Sequence, residues 1–336
     1  MNFESFAGNP EAKAQLSAAV DGGHFPHALL LEGPAGSGKR MLAALLAKAA
    51  VCVAPAGEKP CGACSGCLKA AAGAHPDIRT EGGDGAARSF HIDTVRELRD
   101  SAYVLPNEAP RRVMILAGAQ GMTEQAQNAL LKILEEPPAH AVFLLTCENR
   151  ASMLPTILSR VQCVSLGPVP EEEALPILKQ RLPDQGEEAL RRSFRLFGGI
   201  IGRTLQGLED GTFQRVLELA PRLAEAVCAP DELTLLRATA PLEKDKAAVD
   251  GVLGAVRLIF RDALMRRCAG DAPEGAVASL SVSPETADKL AAALTRSQLM
   301  ALMREAEGLQ AALLRNMNHT LLLTLICARF RAAAGR

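Results

Sequence analysis

Tryptophan is absent from the 336 residues and tyrosine occurs once, at Tyr103, so aromatics amount to 3% of the chain. That scarcity argues against a stacking platform for single-stranded nucleic acid. Charge of one sign is lacking too. The 37 Lys+Arg face 38 Asp+Glu, a net charge of −1, which excludes a strongly basic, self-sufficient DNA-binding domain. No apolar run approaches the ~20 residues needed to cross a bilayer. The longest candidate, Leu321 to Cys327, is interrupted by Thr324 and followed by Arg329; it reads as a buried helix. Met1-Asn2-Phe3-Glu4 has neither the basic nor the apolar region of a signal peptide. The expectation is a soluble, cytoplasmic chain without a membrane partner.

What is present is ordinary in proportion: 48% apolar and 22% charged residues suit a folded, globular chain of two or three domains. Up to about residue 165, strand and helix signals alternate. His27-Ala28-Leu29-Leu30-Leu31, Arg112 to Leu116 and Ala141 to Thr146 are short apolar runs that read as buried strands. Lys39 to Ala50 and Thr123 to Leu134 read as helices between them. Alternation of this kind implies a parallel sheet covered on both faces. After Pro168-Val169-Pro170 no strand-like run follows. Residues 171–205 read as short helices and 212–332 as longer amphipathic ones, broken near Pro230, Pro241, Gly270–Pro273 and Pro284.

Gly33-Pro34-Ala35-Gly36-Ser37-Gly38-Lys39 joins the first strand to its helix. It matches G-x-x-x-x-G-K in the context that motif requires. Glycines let backbone N–H groups turn toward phosphate oxygens, the helix N-terminus adds a favourable dipole, and Lys39 adds a point charge. The next residue is Arg40, where Ser or Thr would ligate Mg²⁺. An arginine has donors only. The strand Val113 to Leu116 continues as Ala117-Gly118-Ala119-Gln120, with no carboxylate for the metal or for water. The loop keeps the means to bind nucleotide and lacks the groups that would hydrolyse it.

Nine cysteines make an odd count for a disulfide framework. Cys52, Cys61, Cys64 and Cys67 fall within sixteen residues, and their spacing suits a closed tetrahedral zinc site. An iron–sulfur reading is weaker, because Cys67 is followed by Leu68-Lys69-Ala70-Ala71 rather than x₃-Cys-Pro. Gly57, Pro60, Gly62 and Gly66 suit tight turns around the thiols. Cys147, Cys163, Cys228, Cys268 and Cys327 read as small core residues. Arg111-Arg112 and Arg191-Arg192 with Arg195 read as solvated faces, His319 as packed, and Thr146 or Asn149 as strand-capping or sensor residues.

Asn128-Ala129-Leu130-Leu131-Lys132-Ile133-Leu134-Glu135-Glu136-Pro137-Pro138, together with Leu154-Pro155-Thr156-Ile157-Leu158-Ser159-Arg160, the phosphate loop and the cysteine module behind it, carries a resemblance. The chain resembles the AAA+ subunits of the bacterial DNA polymerase III clamp loader, over about residues 1–205. The arginine string is similar to that family's Ser-Arg-Cys motif, with Val161 in place of the cysteine. Gly198-Gly199-Ile200-Ile201-Gly202-Arg203 looks like its lid segment, and Asn316-Met317-Asn318 is more faintly similar to the start of its last helix. The resemblance implies three parts: an α/β P-loop (AAA+) core with a parallel sheet at 1–166, a small helical lid at 167–208, and an all-α collar at 209–336. It implies that Arg160 reaches the γ-phosphate bound by an adjacent subunit, and that Gly33, Gly36, Gly38, Lys39, Arg40 and Arg203 surround a degenerate nucleotide site. The loss of both Mg²⁺ ligands points to the non-hydrolysing delta-prime branch over the gamma/tau motor branch. The implied partners are gamma/tau and delta subunits and, through the assembly, the sliding clamp and primed DNA. The implied metal is structural zinc.

Overall fold

A computed structural model describes residues 1–21, 25–55, 57–83, 90, 92–243, 245–269, 279–314 and 317–336. It divides into two compact units, Met1–Ala174 and Leu175–Arg336. The breaks expected at Gly270–Pro273, and Asn316, lie outside the described residues.

The first unit runs α1 (Pro10–Asp21), β1 (Ala28–Glu32), α2 (Lys39–Ala50), α3 (Ser65–Ala71), β2 (Ile78–Gly82), α4 (Ile92–Ala102), β3 (Arg112–Ala117), α5 (Glu124–Glu135), β4 (Ala141–Cys147), α6 (Pro155–Leu158) and β5 (Gln162–Ser165). The five strands found among the described residues pair in parallel in the order β2-β3-β4-β1-β5. The two-residue period of a strand splits each apolar run between the faces. Leu29 and Leu31 pack with Leu42, Leu46, Val113, Ile115 and Leu144 on one side. Leu30 packs with Met114, Leu116, Leu130, Phe143 and Leu145 on the other. The strand that reads as a continuous hydrophobic run is therefore buried twice, as a parallel sheet requires. The two strands not read from the sequence, β2 and β5, are the edges of this sheet.

Helix α7 (Glu171–Arg181) carries the chain into the second unit, with α8 (Glu187–Leu196), α9 (Ile201–Glu209), α10 (Thr212–Ala226), α11 (Glu232–Thr239), α12 (Lys246–Ala269), α13 (Pro284–Ala293), α14 (Arg296–Leu314) and α15 (His319–Ala333). No strand is described after Ser165. The 24-residue α12 is the centre of this unit. Val249, Val252, Leu253, Val256, Ile259 and Phe260 are all fully buried and form one broad apolar face, with the part-exposed Asp250, Arg257 and Arg261 on the opposite side. Gly251 lets α10 approach: a Cβ there would lie 2.8 Å from Val216. On α15, Leu322, Ile326 and Phe330 are buried, and among the described residues no helix is long and apolar enough to cross a membrane.

Candidate functional site: phosphate loop, arginine turn and four-thiol cluster

The loop between β1 and α2 lies at the carboxyl end of β1, between β4 and β5, where the chain order of the sheet reverses. Such crevices bind ligands in open α/β sheets. Gly36 and Gly38 have φ of 78° and 86°, which L side chains rarely adopt. A Cβ on Gly33 would meet the carbonyl oxygen of Leu166 at 2.5 Å. Gly38 is the N-cap of α2 and no side chain caps it, which leaves the helix N-terminus open to an anion. Lys39 Nζ donates to the carbonyls of Gly33 and Pro34, both at 2.8 Å. The cradle is thus built and its lysine folded onto the cradle's own backbone. This donor set fits phosphate.

The metal half of the site is different. Arg40 is exposed at the start of α2. β3 ends at Ala117, and Gly118, in a left-handed conformation, donates its N–H to Thr146 Oγ1 at 2.9 Å. Thr146 is therefore occupied in tying β4 to the end of β3. Asn149 caps the turn at Arg150–Ser152 by accepting from Ala151 N at 2.8 Å. The acid beside the loop is one that sequence reasoning passed over. Glu32, the last residue of β1, accepts from Arg150 N at 3.0 Å and from Ser165 Oγ at 3.3 Å. Burial pushes the nearby Cys147 thiol up to about 12, with Glu32 adding to it.

Arg160 follows α6 and points along the end of α5. Its Nη1 donates to Thr156 O at 2.8 Å and Ser159 Oγ at 3.0 Å, and its Nη2 pairs with Glu135. The side chain stays 31% exposed, at an open depression of about 610 Å³ lined by His27, Leu134, Glu135, Ser159, Val161 and Gln162. A second residue not read from the sequence holds this turn. The buried Gln127 of α5 accepts from Leu154 N at 2.8 Å and donates to Ser152 O at 3.4 Å. A polar residue on the apolar face of α5 was the available signal.

Arg203 lies on α9 in the second unit, where Nη1 pairs with Asp250 at 3.1 Å.

Cys52, Cys61, Cys64 and Cys67 converge so that their sulfurs all lie within 4.8 Å of one another. The Cys61–Cys67 and Cys52–Cys64 separations are 3.9 Å, close to the ~3.8 Å edge of a tetrahedron with 2.3 Å metal–sulfur bonds. The backbone N–H groups of Cys64 and Cys67 point at the sulfurs of Cys61 and Cys64, each at 3.4 Å. Burial opposes a thiolate at Cys64, yet the N–H groups of Cys67 and Val53 outweigh it and bring that thiol to about 6. Burial sends Cys67 the other way, up to about 12. The set can hold a metal ion. Gly66, expected in a turn, lies in the first turn of α3, where a Cβ would meet Val51 O at 2.5 Å.

Two further expectations are corrected. Cys268 is exposed, not in a core. Arg111 lies over the Phe25 ring at 5.3 Å, and the Arg112 side chain is only 15% exposed, 4.0 Å from Asp77. These two arginines cover apolar surface and a buried carboxylate instead of forming a solvated face. His319 is packed as expected, its Nε2 2.9 Å from Leu242 O.

Residues 8–170 match the model of a family described as DNA polymerase III, delta subunit. The DNA polymerase III subunit delta' of Escherichia coli K12 is 30% identical over 94% of this chain and 92% of its own length. The chain belongs to the DNA polymerase III delta-prime family. A second delta-prime protein, from Pseudomonas aeruginosa, is 41% identical over 52% of this chain and 53% of its own. The gamma/tau subunit of Mycobacterium tuberculosis H37Rv is 31% identical over 98% of this chain. The chain spans 60% of the length of that relative. Within the 8–170 family match lie the phosphate loop, the thiol cluster and the arginine turn, all in the first compact unit.

Proposed function

We propose that this chain is a non-hydrolysing subunit of the DNA polymerase III clamp loader. It assembles with delta and gamma/tau subunits in the cytoplasm, supplies Arg160 to the ATP site of its neighbour, and helps place the sliding clamp on primed DNA. The observation that carries this reading is the pairing of a part-exposed Arg160 turn with a phosphate loop that has Arg40 in place of the metal-ligating hydroxyl and Ala117-Gly118 in place of the acidic pair. A guanidinium suits the role because it stays charged and offers planar paired donors to phosphate oxygens. The lid (167–208) and collar (209–336) of this reading fall mostly within the second compact unit; the core (1–166) falls in the first. Gly33, Gly36, Gly38, Lys39 and Arg40 would meet any nucleotide held at the chain's own loop, whereas Arg203, in the second unit, is engaged in an ion pair with Asp250.

The reading is tested by reconstituting the complex with Arg160→Ala. Loss of DNA- and clamp-stimulated ATPase is expected, and an unaffected rate would sink the proposal. The rival is a motor subunit of the gamma/tau kind. Mg²⁺-dependent turnover by this chain alone, abolished by Lys39→Ala, would establish that rival.

The thiol cluster is proposed to hold one Zn²⁺ through Cys52, Cys61, Cys64 and Cys67 in a structural role. The 3.9 Å sulfur separations support it. Elemental analysis should find about one zinc per chain and negligible iron; iron with inorganic sulfide would replace the assignment.

A further inference from the structure

Arg160 is held within its own chain by two different kinds of partner. Nη1 is bonded to Thr156 O and Ser159 Oγ, both on the turn that carries the arginine. These bonds fix the direction of the side chain and move with it. Nη2 is bonded to Glu135, the last residue of α5, which belongs to a separate element. A guanidinium against a carboxylate forms a pair of net charge zero, and an incoming polyphosphate is repelled by the same carboxylate. The pair is exposed on both sides, 31% for Arg160 and 49% for Glu135. Such pairs are weak and screened, whereas a phosphate carries more negative charge than the carboxylate and accepts a charge-assisted bond from the same Nη2.

We propose that Glu135 is a positioning residue that keeps Arg160 in an intrachain pair until the phosphate of a neighbouring subunit displaces it. Nη1 stays on its own turn as the pivot, and Nη2 exchanges the carboxylate for the phosphate. The pair then raises the threshold for turnover in a loader that has not met DNA and clamp. This inference rests on the reading of Arg160 as a residue acting in trans.

The test uses the full reconstituted loader with Glu135→Gln, Glu135→Asp and Arg160→Ala subunits, each checked for an unchanged melting temperature as the isolated chain. Glu135→Gln should raise the unstimulated ATPase by about two- to fivefold, the worth of an exposed ion pair, and lower the apparent KM for ATP while the stimulated kcat stays. Glu135→Asp, which keeps the charge, should return toward the wild-type rate. Glu135→Gln added to Arg160→Ala should change nothing further. An unstimulated rate that is unchanged or lower in Glu135→Gln overturns the inference, as does an equal rise in Glu135→Asp. Because Arg160→Ala is measured alongside, failure of the trans role is seen separately, as an Arg160→Ala loader of undiminished rate. Should Glu135→Gln fold poorly, the Nε–H resonance of Arg160 in the ¹⁵N-arginine-labelled wild-type chain decides: displacement by 0.5 M NaCl supports the pair, and no displacement overturns it.

Discussion

The two cations of the first unit that are proposed to meet phosphate are satisfied in contrasting ways. Lys39 is partly buried and bonded to two backbone carbonyls of its own loop. Arg160 is bonded to a side-chain carboxylate at a surface depression. The carbonyls are fixed by the glycine-built loop and carry no formal charge, so Lys39 is part of the loop's architecture. The carboxylate belongs to a separate element and is 49% exposed, so Arg160 is held by a solvent-screened pair that can be given up. The site with a complete cradle has lost its metal ligands, and the site with no cradle has kept its charge. What is retained at the first is shape; what is retained at the second is reach.

The strongest way to break this contrast is Arg160→Ala in the reconstituted complex. A guanidinium acting in trans on a transferring phosphate is worth about 10³-fold or more, so stimulated turnover should fall by at least that factor. A change below about tenfold would return Arg160 to the class of ordinary surface pairs.

A buried charge with fixed donors should behave differently from both cations. Asp77 is fully buried and accepts from the N–H groups of Asn107, Glu108 and Ala109 at 2.6–3.0 Å. Burial opposes its charge, but those three bonds outweigh it and hold the carboxyl below the usual range. Its contribution is therefore complete above the unfolded value of about 3.9 and is lost as pH falls through the lower folded value. Asp77→Asn should cost about 2–3 kcal/mol in urea unfolding at pH 7 and flatten the acid limb of the stability curve below about pH 4. An unchanged acid limb would count against the three-bond account.

Smaller effects separate the two cations themselves. Lys39→Ala leaves the Gly33 and Pro34 carbonyls without their charged donor and should lower the stability of the isolated chain by about 1–2 kcal/mol. Glu135→Gln should change it by no more than about 0.5 kcal/mol. Equal costs in the same denaturant series would erase the distinction between an architectural and a releasable cation.

The parts of the fold that were legible in the sequence are those that repeat a physical rule along a short stretch. Leu29, Leu30 and Leu31 announce a strand buried on both faces, and Thr123 announces the helix it caps, accepting from Ala126 N at 3.2 Å. Edge strands follow no such rule. β2 reads Ile-Arg-Thr-Glu-Gly and β5 reads Gln-Cys-Val-Ser; among the described residues one flank of each has no strand beside it, so polar side chains are tolerated and the apolar run disappears. The phosphate loop and the thiol cluster were legible because glycine and cysteine spacing is local. The Arg160–Glu135 pair and the Gln127 clamp were not, because 25 or more residues separate their partners and only the packing of α5 beside the arginine turn joins them.

The strand order has a consequence for how the chain is made. β1 hydrogen-bonds with β4 and β5, strands that begin more than a hundred residues after it ends. The phosphate loop is therefore synthesised more than a hundred residues ahead of β4 and has no sheet to sit in until Cys147 has been added. At 5–20 residues per second that is a wait of roughly 5–20 s, during which Leu29, Leu30 and Leu31 are an unpaired apolar segment. The long-range pairing that places the loop in its crevice also leaves this stretch in need of shielding in the nascent chain, and it makes β5, which brings Leu166 against Gly33, the element whose arrival completes the site.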